Sequence, residues 1–111
     1  MYSAVNQFRA ANNVGPAKFD DLVSHYCHLH CIAMTKCGGI YHAEPYLLDG
    51  WSEAVGWCAF QDNVTSIKHI LVDGVFGNSS QHRNLILSAP VLACAIHINN
   101  WQVYATIRGK Y

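Results

Sequence analysis

The feature that most constrains this chain is a change of hydrophobic period late in its length. Up to about residue 88 the apolar residues recur at helical spacing. From Val91 they alternate every second residue, through Val91-Leu92-Ala93-Cys94-Ala95-Ile96-His97-Ile98 and again through Trp101-Gln102-Val103-Tyr104-Ala105-Thr106-Ile107. Side chains alternate across a strand and repeat every 3.6 residues along a helix, so these two patterns predict different elements. Asn99-Asn100 between the two alternating runs predicts a tight turn, and therefore a closing antiparallel hairpin. A chain with helices first and a hairpin last is expected to be α+β, with the helices layered on a small sheet.

The helical part divides cleanly. Residues 2–12 carry Val5, Phe8, Arg9 and Asn12 at helical spacing, and Asn13-Val14-Gly15-Pro16 ends that helix. Asp20 is placed to cap a second helix that runs to Lys36, with Leu22, Val23, Tyr26, Cys27, His30, Cys31 and Met34 on one wide face. Cys37-Gly38-Gly39 stops it. Residues 40–51 read as irregular, and Ser52-Glu53-Ala54-Val55 as one or two short helical turns. Ser66 to Phe76 predicts an amphipathic helix with Ile67, Ile70, Leu71 and Val75 inward. Ser80 is placed to cap a last helical turn through Leu87.

The 111 residues suit one domain, residues 1–111, and 51% are apolar, enough for a core without metal or disulfides. Net charge is zero and the seven Lys and Arg are scattered, so no basic stripe exists for nucleic acid. No apolar run reaches the ~20 residues of a membrane-spanning helix. No basic and apolar leader precedes the first helix, so the expectation is an intracellular chain or one whose leader has been removed. Five cysteines, an odd number, argue against a secreted disulfide framework. Cys58 and Cys94 could pair, or Cys94 could fill a small gap in the core.

Four segments, in order and spacing, resemble the CAP superfamily: cysteine-rich secretory proteins, antigen five and pathogenesis-related proteins, in particular the short bacterial members. They are Val5-Asn6-Gln7-Phe8-Arg9 through Phe19-Asp20, then His30-Cys31-Ile32-Ala33-Met34 running on to His42, then Ser52-Glu53-Ala54-Val55-Gly56, and Gln81-His82-Arg83-Asn84-Leu85-Ile86-Leu87. Together they cover nearly the whole chain. The resemblance implies a three-layer α-β-α sandwich with a small antiparallel sheet and a C-terminal hairpin. It also implies a central cleft and an extracellular setting.

Carried over residue by residue, His42 and His82 match the two cleft histidines of the family and Glu53 its first acid. The second acid has no counterpart: Phe76 takes the aromatic position that precedes it, and Gly77, Asn78 and Ser79 follow, with Asp73 a turn earlier. Arg83 and Asn84 would brace the cleft. Two imidazoles and a carboxylate suit a divalent ion such as zinc, with water in a fourth position and an acid as base. The alternative reading is that Glu53 hydrogen-bonds His82 and pins the loop to the core. The favoured function is thus a non-enzymatic binding or interaction domain for a metal ion, a peptide, a protein or a small lipid. The other is a metal-assisted hydrolase or peptidase with His42 and His82 as ligands and Glu53 as base; Glu53 and His82 would then be its catalytic residues. A Ser or Cys nucleophile beside a histidine base is not visible.

Cys27 and Cys31 share a helix face near His25, His28 and His30, which invites a second metal site. Burial as small core residues is the stronger reading. His30 is expected to pack and hydrogen-bond, His25 and His28 to be solvated, and His97 to face outward from its strand. His69 could face either way. Trp51, Trp57 and Trp101, with Tyr41, Tyr46 and Tyr104, could line a cleft for an apolar ligand, against ordinary core and rim packing.

Overall fold

The computed structural model describes residues 1–59 and 64–111. Helix α1 (Tyr2–Ala11) leads to the short strand β1 (Lys18–Phe19) and the long helix α2 (Asp21–Cys37). A single turn α3 (Pro45–Leu48) precedes strand β2 (Ser52–Ala59). Helix α4 (Val64–His69) continues into a π-helical stretch, Ile70–Phe76. Helix α5 (Ser80–Ser88) and strands β3 (Val91–Asn99) and β4 (Gln102–Lys110) complete the chain. No helix among the described residues is long and apolar enough to cross a membrane.

The sheet has the order β1-β3-β4-β2. β3 and β4 form the expected hairpin, and β2 pairs antiparallel with β4 along its whole length, from Ser52↔Gly109 to Ala59↔Gln102. β1 adds two residues parallel to β3, so the sheet is mixed where an antiparallel one was expected. The hairpin turn falls one residue later than the asparagine pair suggested. Asn99 still pairs with Gln102, and the loop is Asn100-Trp101, with Asn100 at φ 54°. Asparagine tolerates that left-handed conformation better than most residues.

Helix α2 lies on one sheet face against β3 and β4; α1, the π-helical stretch and α5 cover the other. Asp20 accepts a hydrogen bond from the Val23 amide at 2.9 Å, the predicted cap, and Gly38 at φ 81° closes the helix. Cys31 and Met34 pack on Val55 and Tyr104 beneath α2. The larger core, on the other face, joins Val5 and Phe8 with Leu71, Phe76, Ile86, Leu92 and Ile107.

Arg9 accounts for the arginine of the opening segment. It is buried and donates to the Gly15, Ile86 and Ala89 carbonyls at 2.7, 2.7 and 2.9 Å. It thereby satisfies carbonyls at the end of α5, which have no partner within their own helix.

Three local expectations are corrected. Ser52-Glu53-Ala54-Val55 is strand: Ala54, Val55 and Gly56 are all buried because both sheet faces are covered, and such a run lacks the alternation that marks a half-exposed strand. Ser66 lies inside α4, and the inward face of the helix that follows is shifted. Ile67, Leu71, Val72 and Phe76 are buried, while Ile70 is 38% exposed. The π-helical winding, with Gly77 N bonded to Val72 O, rotates successive side chains away from α-helical register. The residue preceding α5 is Ser79, not Ser80, and its side chain makes no capping bond.

All five cysteines are free thiols, so Cys58 and Cys94 are unpaired and both fill the core. Cys27 and Cys31 are wholly buried, as the core reading anticipated.

Candidate functional site

The site is built where β2, an edge strand, runs beside β4. Glu53 and Arg108 are direct partners in that ladder. Odd positions of β2 and even positions of β4 face α2, which puts both side chains on the helix-covered side. Arg108 Nε donates to Glu53 Oε2 at 2.9 Å, with the side chains only 5% and 1% exposed. The other oxygen, Oε1, accepts from the Ala43 amide at 2.8 Å and from His42 Nδ1 at 3.1 Å. A carboxylate can only accept here, so His42 Nδ1 carries a proton, on a side chain that is 60% exposed.

A second anchor lies on the same loop. His30, on the buried face of α2, holds the Tyr41 carbonyl through Nε2 at 2.7 Å and meets the Tyr41 ring edge-on. The segment between α2 and α3 is thus tied at residue 41 by His30 and at residue 43 by Glu53. It carries no regular structure, so these side-chain bonds replace the backbone ladder it lacks.

His82 enters from α5, on the opposite side of the sheet. Its ring packs edge-on against Phe76, with centroids 5.7 Å apart. No hydrogen bond joins it to Glu53 or to any other described residue. Burial lowers its pKa from the ordinary histidine value, and the nearby His42 lowers it further. Of the two histidines, Glu53 is bonded to His42 alone. Glu53 therefore pins the 38–44 segment, through His42 and Ala43, and not the loop that carries His82.

The other two residues of the late segment point elsewhere. Arg83 donates to Asn12 Oδ1 and lies over the Phe8 ring, 5.4 Å from its centroid, so it braces α5 against α1. Asn84 is exposed, and its carbonyl accepts from Ser88 Oγ at 2.5 Å. Asp73, considered as a substitute acid, is 3.5 Å from His69 Nδ1 on its own helix.

Among the described residues the three carried-over side chains are not gathered as a metal-ligand set. Both Glu53 oxygens are engaged, and among the described residues no group of three or more His, Cys, Asp or Glu side chains is arranged to hold a metal ion. The segment around Cys27 and Cys31 offers none either. There the Cys31 thiol bonds Thr106, and burial raises it to about 11.

Beside the Glu53 network opens a pocket of about 310 Å³, lined by Tyr26, Leu29, His30, Ala43, Leu47 and Arg108. Three of its walls are apolar side chains left about half exposed. Sequence reasoning missed both the pocket and Arg108, because it ended the last strand at Ile107. A signal was present: an arginine continuing the alternation of Tyr104 and Thr106 falls on the helix-covered face, where a charge requires a partner. Of the tryptophans and tyrosines considered as cleft walls, none lines this pocket. Trp57 and Trp101 are exposed, Trp51 stacks under Lys110, and Tyr104 is core.

No protein-family model matches the chain, and no curated protein sequence is similar to it. Solved structures do match. An outer surface protein from Borrelia burgdorferi superposes with a TM-score of 0.68 at 14% identity, over 98% of this chain and 88% of that one. A cysteine-rich secretory protein from Staphylococcus aureus gives a TM-score of 0.55 at 17% identity, over 98% of this chain and 36% of that one. The chain has the α+β fold of a CAP-like domain.

Proposed function

We propose that this domain is a non-enzymatic binding module that takes a peptide or a small organic molecule at the end of the sheet where Glu53 ties the 38–44 loop to Arg108. The observation that carries this reading is the engagement of both Glu53 oxygens. Three donors hold its two oxygens and take three of the roughly four lone-pair sites of a carboxylate, which suits a clasp better than a general base. An open, largely apolar pocket adjoins the clasp, the usual character of a ligand site. The names of the two structural neighbours, an outer surface protein and a secretory protein, favour an extracellular setting.

The test is a hydrolysis panel of peptides and esters run with and without zinc, together with zinc calorimetry. The expected result is no turnover, and no zinc heat that vanishes in both His42→Ala and His82→Ala. Turnover that Glu53→Gln abolishes, while circular dichroism shows an intact fold, would overturn the binding reading in favour of a hydrolase.

A further inference from the structure

Arg108 has more hydrogen-bonding capacity than the protein uses. A guanidinium presents five N–H donors in a rigid fork. Here Nε is taken by Glu53 Oε2, and no hydrogen bond from Nη1 or Nη2 reaches a described residue. The side chain is nonetheless 95% buried, the complement of its 5% exposure. Among the described residues no fully buried side-chain nitrogen or oxygen lacks a partner, so the two terminal nitrogens keep access to open space. The space that Arg108 lines is the pocket.

We infer that this pocket binds a carboxylate attached to a compact apolar body, with the carboxylate seated end-on across Nη1 and Nη2 of Arg108. The inference rests on the binding reading above and names the ligand class for it. Glu53 occupies the Nε side of the guanidinium, and the remaining end of the fork matches the spacing of two carboxylate oxygens. A ligand carboxylate would thus add the second anion that an arginine can carry in a plane, without displacing Glu53.

The walls set the other half of the ligand. Tyr26 and Leu29, from α2, and Leu47, from α3, are about half exposed and line the pocket together with the buried Ala43. The volume is about twice that of a ~150 Å³ cavity able to hold benzene. An aromatic or branched aliphatic body of modest size fills it; an extended chain would project out. His30 already spends Nε2 on the Tyr41 carbonyl and offers no two-pronged fork, so Arg108 is the better anchor.

The experiment compares matched ligands on the unaltered protein. Calorimetry with 4-phenylbutyrate and with its neutral amide is expected to show the acid binding about tenfold more tightly, the worth of one charge-assisted hydrogen-bond pair over a neutral one. A peptide ending in Leu-Phe with a free C-terminus, beside its amidated twin, distinguishes a chain end from a free acid as the source; binding of either acid supports the inference. Leu29→Asp, at a half-exposed wall, is expected to abolish acid binding while the melting temperature holds. Arg108→Lys, if folded by circular dichroism, keeps the charge but loses the fork and is expected to weaken the acid without affecting the amide.

Equal affinity for acid and amide would overturn the carboxylate inference and leave the pocket reading standing. Failure of all four ligands to bind would remove the ligand class altogether, whereas the binding reading itself stands or falls on the hydrolysis panel.

Discussion

Glu53 and Arg108 are register partners in the β2–β4 ladder, and their side chains join at 2.9 Å on the face that α2 covers. The pairing ties three things together. It neutralises two buried charges, it presents Oε1 to the 42–43 segment, and it fixes Arg108 in the wall of the pocket. A fully bonded polar network in a low-dielectric interior is specific as well as stable, since losing any one member leaves another unsatisfied.

The first prediction concerns that dependence. Glu53→Ala is expected to cost about 3–5 kcal/mol, because it strands Arg108 as an uncompensated buried charge. Replacing both residues with Met is expected to cost much less than Glu53→Ala alone. Urea denaturation of the two variants checks the order, and equal losses would contradict a paired role.

A second prediction follows from His82. Its folded pKa is depressed, chiefly by burial and then by His42, so the unfolded chain takes up the proton first as pH falls. The associated stability is present above the ordinary value of 6.5 and is lost as pH falls below it. Melting temperature is expected to decline from about pH 7 to pH 5, and His82→Gln to flatten part of that decline. An unchanged slope in the variant would show that His82 does not titrate against folding.

Gly109 supplies a third. It lies where β4 passes under α5, and a Cβ there would stand 2.6 Å from Leu85 Cδ1 and 2.8 Å from Ala89 Cβ. The leucine tip could move, but Ala89 is fixed by its backbone. Gly109→Ala is expected to destabilise by about 1–3 kcal/mol through overpacking. Thermal denaturation checks it, and a neutral effect would show that α5 can shift away from the sheet.

The thiols give a fourth. Cys37 is exposed, whereas Cys27, Cys31, Cys58 and Cys94 are buried. Burial raises Cys94 to about 12 and Cys31 to about 11, and pushes Cys27 and Cys58 up as well. Since the thiolate is the reactive form, iodoacetamide on the native protein is expected to modify Cys37 alone. Mass spectrometry before and after unfolding reads this directly, and rapid labelling of Cys27 or Cys31 would contradict the packing of α2.

Much of the architecture was legible because it rests on local rules. The Asp20 cap, the Gly38 stop, the α1 and α2 faces and the closing hairpin are each written in a few neighbouring residues. The elements that were misread depend on distant partners. β2 is a strand because β4 pairs with it and both faces are covered, and its own sequence does not alternate. The buried face between Ile67 and Phe76 turns on a π-helical winding that no residue pattern announces.

The site divides the same way. Sequence alone determined the order of helices and hairpin, and the resemblance it carries singled out His42, Glu53 and His82 as candidates. Tertiary structure decided their roles. It paired Glu53 with Arg108 across 55 positions of chain, gave His42 the remaining oxygen, left His82 against Phe76, and turned Arg83 toward α1. The reason is physical: a hydrogen bond is a matter of angstroms and direction, and those are set by strand register and helix packing, which form only when the chain closes on itself.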